Sequence, residues 1–301
     1  MNILETIPTE IQTAFWTILT ASLCSIMCAV LGVWLVLQKL SLVGDAISHS
    51  VLPGIVLIFI FFGTYAPLPM IIGASIAGII TILLMKGFQK LAKTREDASM
   101  GAAFTMLFAL GVILITRYAS QIDLDPSCVL YGLIEFVSLN TTPVFGIEIP
   151  QALLTIAPAL LIVLLFLALF NKELLIMAFD PELSKTLGTR PNFIYYLLMS
   201  MVALATVASF EAVGSILVIA MLIGPAATAQ LLTHQLKPMF IISGILAILS
   251  SITGYALAVL WNTSIAGMMA VSIGIFYVLT VAYTVLMKNV QQSHLREAKE
   301  I

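Results

Sequence analysis

Runs of about 20 apolar residues, each closed by a short polar or charged interval, recur along this chain from one end to the other. They cover residues 12–37, 43–62, 67–86, 98–116, 151–170, 192–210, 212–233, 238–260 and 265–287. A helix rises about 1.5 Å per residue, so a run of roughly 20 matches the ~30 Å hydrocarbon core of a bilayer. The pattern predicts an all-α, polytopic membrane helical bundle of nine spans. Glu211 alone separates the sixth run from the seventh, and if one of the two fails to cross, the count is eight.

Composition sharpens that picture. Hydrophobic residues make up 61% of the 301 residues and charged residues 9%, whereas a soluble domain carries about 25% charged. No hydrophilic stretch is long enough to bury a core of its own, so residues 1–301 are read as a single transmembrane domain. The net charge of −2 carries no basic face for nucleic acid. Lysine and arginine fall on alternate connections: Lys39; Lys86, Lys90, Lys93 and Arg95; Lys172, Lys185 and Arg190; Lys237; and the tail 288–301. The positive-inside rule then predicts the N-terminus outside and the C-terminus in the cytoplasm. Trp16 and Trp261 are expected at the outer interface and Trp34 at the inner one.

One segment carries chemistry. In "LVGDAISHSVLPG", residues 42–54, Asp45 and His49 are four apart, hence on one helix face with side chains within about 6 Å. A carboxylate and an imidazole offer one oxygen and one nitrogen ligand, a set suited to manganese, iron or zinc. Pro53 cannot donate to the His49 carbonyl, and Gly54 admits a close neighbour. Ionisable groups and broken helices inside a membrane mark ion paths. The plain alternative is a self-neutralising pair that packs the bundle. Against it, Asp45 is the only acid deep in an apolar run and His49 the only histidine there.

Other polar features carry weaker expectations. Asp123 and Asp125 lie in the external connection 117–150, where they could attract cations at a pathway mouth or simply form a solvated turn. Glu211 and Pro225, the latter in "IGPAATAQ", are candidates for a vestibule or gate; Pro225 can break its helix, and its small neighbours equally allow plain packing. The cytoplasmic connection 171–191 has a helix start at Asp180-Pro181-Glu182 and a stop at Gly188, so a short helix carrying Lys185 is expected as a partner surface or an interfacial element. Cys24 and Cys28 share a face and read as small hydrophobes. His234 and His294 fall at the cytoplasmic side. No phosphate loop and no catalytic triad pattern occurs, so a nucleotide-driven process needs a separate ATPase, and the chain is read as a non-enzyme.

"LSLVGDAISHSVLPGIVL", together with "DLDPSCVLYGLIEFV" at 123–137, "AFDPELSKTLGTRP" at 178–191 and "SFEAVGSILVIAMLIGPAATAQLL" at 209–232, resembles the membrane permease subunits of ATP-binding cassette importers for manganese, zinc and iron, and most resembles the manganese branch. That resemblance implies a type II importer fold in a bacterial plasma membrane. It implies a homo- or heterodimer of permeases, two cytoplasmic ATPase subunits and an extracellular or periplasmic binding protein. Asp45 and His49 match the family's metal ligands, and residues 180–190, with Asp180, Glu182, Lys185 and Gly188, match its ATPase-coupling helix. The metal is cargo, with no permanently bound cofactor. Rival readings are a gradient-driven secondary transporter, a permease for a metal chelate, and a membrane enzyme using the pair as a metal centre.

Overall fold

A computed structural model describes residues 9–63, 67–118, 134–144, 147–186 and 190–300. Helices α1 (Thr9–Leu37), α2 (Val43–Ser50), α3 (Leu52–Phe62), α4 (Pro67–Ala92) and α5 (Glu96–Tyr118) form the first half. A 3-10 turn (Ile134–Phe136) and strands β1 (Thr141–Val144) and β2 (Ile147–Pro150) follow. The second half is α6 (Gln151–Phe179), α7 (Pro181–Thr186), α8 (Pro191–Val213), α9 (Ser215–Leu232), α10 (Leu236–Trp261) and α11 (Ile265–Glu300). Among the described residues nine stretches are long and apolar enough to cross a membrane, with α2 and α3 together forming one of them. This is the nine-span, all-α bundle expected from the apolar runs.

The bundle is built around α1, which packs on α6, α8, α9 and α10 and is the most buried of the spans. Leucines of α6 and isoleucines of α10 stay exposed, as a lipid-facing surface requires: Leu161, Leu165 and Leu169, and Ile241 and Ile245. Trp34, expected at the inner interface, lies near the C-terminal end of α1 and points into the bundle. It is fully buried, its ring 5.8 Å from that of Phe240, because α1 is walled in on nearly every side and its indole fills the core. Trp261, at the far end of α10, is exposed.

The helices depart from the apolar runs and from the expected breaks at several points. The sixth and seventh spans are divided at Gly214, whose φ of 77° a residue with a side chain rarely adopts, while Glu211 lies within the last turn of α8. The fifth span does not stop at residue 170: α6 kinks at Phe170 and continues to Phe179, burying Leu174 and Met177 on one face. Pro225 does not break α9, which runs on through it. The connection after α5 also holds an antiparallel hairpin, pairing Thr141 with Pro150 and Val144 with Ile147, that the span pattern did not reveal.

A candidate metal site on the broken second span

The second span is interrupted where its sequence says it must be. Pro53 has no N–H for the His49 carbonyl, so α2 ends at Ser50, and Val51 joins the two helices while its own carbonyl accepts from Gly54 and Ile55 at 3.0 and 3.2 Å. Pro53 then sits in the first turn of α3, where its fixed φ suits a helix start. Two glycines make room for the break. A Cβ on Gly111 of α5 would stand 3.0 Å from Pro53, and one on Gly44 would strike Leu222 of α9. The elements carrying the site are thus wedged between α5 and α9.

On this short helix Asp45 and His49 do converge. His49 Nε2 lies 3.4 Å from Asp45 Oδ1, close enough for an ion pair and longer than a well-formed N–H···O hydrogen bond. Their side chains are 41% and 37% exposed, whereas Val43, Ala46, Ile47 and Ser50 on the other sides of the same helix are buried. The pair therefore faces out of the single chain. Two rings of α5 frame it: Phe104 and Phe108 lie 6.0 and 6.2 Å from the imidazole, centroid to centroid. Neither phenylalanine stood out in the sequence, although their i, i+4 spacing places them on one helix face.

The neighbouring hydroxyls serve the scaffold. Ser48 donates to the Gly44 carbonyl at 2.7 Å, Ser50 to that of Ile47 at 3.0 Å, and Thr81 of α4 lies 2.6 Å from Ser50 Oγ, tying α2 to the next span. Among the described residues no three His, Cys, Asp or Glu side chains gather in one place. Among the described residues this point of the chain thus brings together one carboxylate and one imidazole, fewer than the four to six ligands a divalent transition metal takes.

Residues 10–284 match the model of the family described as the ABC 3 transport family. The chain belongs to that family. The manganese transport system membrane protein MntD of Bacillus subtilis (strain 168) is 41% identical over 263 residues, 87% of this chain and 89% of its own. The zinc transport system membrane protein TroD of Treponema pallidum (strain Nichols) is also 41% identical, covering 89% of this chain and 73% of its own. Among solved structures, PsaBC from Streptococcus pneumoniae in complex with Fab superposes with a TM-score of 0.73 at 30% identity, covering 88% of this chain and 89% of that one. As a family member the chain is a membrane transport subunit with an ABC permease fold.

The remaining expected residues are dispersed. Asp123, Asp125 and Gly188 lie outside the described residues. Pro225 is buried in α9 beside Ala226, which packs with Val33 and Val36 of α1. Asp180 caps the helix predicted from its sequence: its Oδ1 accepts from the Leu183 N–H at 2.9 Å, opening α7, where Glu182 is exposed and Lys185 follows one turn on. Cys24 and Cys28 are wholly buried in the main core, Cys28 Sγ standing 3.9 Å from Ser209 Oγ. His234 is exposed in the turn between α9 and α10. Glu135 accepts the Ile265 N–H at 2.9 Å and caps α11 across 130 positions of sequence.

Proposed function

We propose that this chain is the membrane-spanning permease subunit of an ATP-driven importer for divalent transition-metal ions, manganese first, and that Asp45 and His49 are its ligands in the pathway. The observation that carries this reading is the orientation of the pair, which faces out of a single chain at a helix break. A second permease copy placing the same face opposite completes the set: two carboxylates, two imidazoles and no thiolate. With the imidazoles neutral, two carboxylates match the charge of one divalent cation, and such oxygen and nitrogen donors suit manganese without the tight thiolate grip that zinc or copper receives. The manganese and zinc transport named for the two relatives supports the cargo class.

Energy comes from partner ATPases, since the sequence holds no phosphate loop. Their contact is α7, with Asp180, Glu182 and Lys185, followed by Gly188. The distribution of Lys and Arg supports the basic end as the cytoplasmic one, with the C-terminus inside and the N-terminus outside. A metal-binding protein on the opposite face delivers the ion, and Asp123, Asp125 and Glu211 belong to that vestibule.

The test is uptake of radioactive manganese into proteoliposomes holding the permease, its ATPase and its binding protein. Asp45→Asn and His49→Ala are expected to lose at least about tenfold of transport, the scale on which metal sites respond even to loss of a supporting group. Assembly with the ATPase is expected to stay intact. Full transport by both variants removes the site. Uptake driven by a pH gradient without ATP makes the protein a secondary transporter instead.

A further inference from the structure

The basic end of the bundle contains a cavity of about 890 Å³ between α4, α6 and α8, lined by neither Asp45 nor His49. Its lining is rich in donors. Lys86 and Lys90 of α4 contribute two ammonium groups, and Glu96 offsets only one of them, at 3.8 Å from Lys86 Nζ. Lys86 Nζ also lies 4.2 Å from the centre of the Tyr195 ring, which fixes the charge at the cavity wall. Gln38 Nε2, Gln89 Nε2 and Tyr195 Oη, all shielded from solvent, have no hydrogen-bond partner among the described residues. These polar atoms are packed behind the lining; what the open cavity itself presents is two ammonium groups against one carboxylate, a net positive charge that favours an anion.

The approach to the cavity specifies which anion. Ile72, Ile76, Ile80 and Leu83 are exposed along one face of α4 at three- and four-residue spacing, and Leu83 is itself part of the cavity wall. An apolar stripe thus runs down a membrane helix straight into a cationic pocket at its charged end. A free phosphate has no use for the stripe. An acyl chain does. We infer that this cavity is a binding site for the phosphate headgroup of an anionic phospholipid, whose acyl chain lies along the exposed face of α4.

The test is native mass spectrometry of the full-length chain released from micelles, with phosphatidylglycerol or phosphatidylcholine of identical acyl chains as probe. Wild type is expected to retain phosphatidylglycerol about tenfold better, and the Lys86→Gln/Lys90→Gln variant to lose that preference. Tyr195→Phe, which removes only a solvent-shielded hydroxyl and keeps the ring under Lys86, and Lys237→Gln, at the same end outside the cavity, are both expected to keep the preference. Equal retention of the two lipids, or an equal loss in Lys237→Gln, overturns the proposal. Displacement by millimolar inorganic phosphate assigns the pocket to a free anion, and displacement by the purified ATPase makes it a protein-docking groove; either result overturns the lipid assignment.

Discussion

Gly54 of α3 and Gly73 of α4 cross backbone against backbone: a Cβ on Gly73 would stand 2.6 Å from the Gly54 carbonyl oxygen, and one on Gly54 would overlap the carbonyl of Gly73. Small residues at a membrane helix crossing let two backbones pack directly, where lipid supplies no hydrophobic drive. Here the crossing also anchors the helix that follows the candidate site. Gly54→Ala is expected to cost about 1–3 kcal/mol by overpacking, read as a lower unfolding temperature in detergent. Gly244→Ala, in a helix with open space around it, is expected to stabilise by ~0.5–1 kcal/mol through propensity alone. The same sign in both variants removes the crossing as the explanation.

If the exposed side of the Asp45–His49 pair meets its counterpart in a second copy, position 49 is an intersubunit position. In a Cys128→Ser background the remaining native thiols, Cys24 and Cys28, are fully buried and give little reaction. His49→Cys in that background is expected to give a reducible dimer with a short bifunctional thiol reagent. Ile245→Cys, exposed on α10, is expected to stay monomeric on a denaturing gel. Equal dimer from both positions, or none from position 49, argues against the shared site.

The break at Pro53 carries its own expectation. Pro53→Ala restores an N–H for the His49 carbonyl and allows α2 and α3 to join, which turns Asp45 and His49 relative to α5. Since Pro53 occupies the first turn of α3, where proline is well tolerated, its loss is expected to change stability by less than about 1 kcal/mol. Metal uptake is expected to fall several-fold in the same proteoliposomes. Wild-type uptake shows that the break is packing geometry only.

What could be read from the chain was local. Span number follows from run length, the Asp45–His49 contact from i, i+4 spacing, the interruption from Pro53, and the start of α7 from Asp180-Pro181. What escaped depends on which other element lies alongside. Hydropathy does not separate lipid-facing from protein-facing positions, so nothing in the run shows that α10 covers Trp34. Asn171 and Lys172, which suggest an end to α6, lie on the exposed side of a helix that buries Leu174 and Met177. Glu135 and Ile265 meet only because the segment before the hairpin folds back over the end of the bundle.

That last contact predicts a graded response. Glu135→Ala leaves the first turn of α11 without its acceptor and is expected to cost ~0.5–2 kcal/mol, whereas Glu135→Gln keeps an amide oxygen in place and should lose less. Unfolding in detergent, followed by tryptophan fluorescence, gives the order wild type, Gln, Ala. A charge-only role predicts Gln and Ala alike.

Asp180 offers the clearest separation of stability from coupling. It sits at the C-terminus of α6, and its carboxylate opens α7, a helix of six residues that cannot hold itself by propagation alone and depends on its cap. Asp180→Ala is expected to loosen α7 by about 1 kcal/mol without lowering the unfolding temperature of the bundle, because among the described residues α7 packs chiefly on the adjoining parts of α6 and α8. If α7 transmits ATPase motion, the variant complex should hydrolyse ATP while importing several-fold less metal per ATP, and Asp180→Asn, an equally good cap, should restore the ratio. Loss of uptake and hydrolysis together in both variants would mean that the carboxylate itself binds the ATPase, and an unchanged ratio in Asp180→Ala would take α7 out of the coupling path.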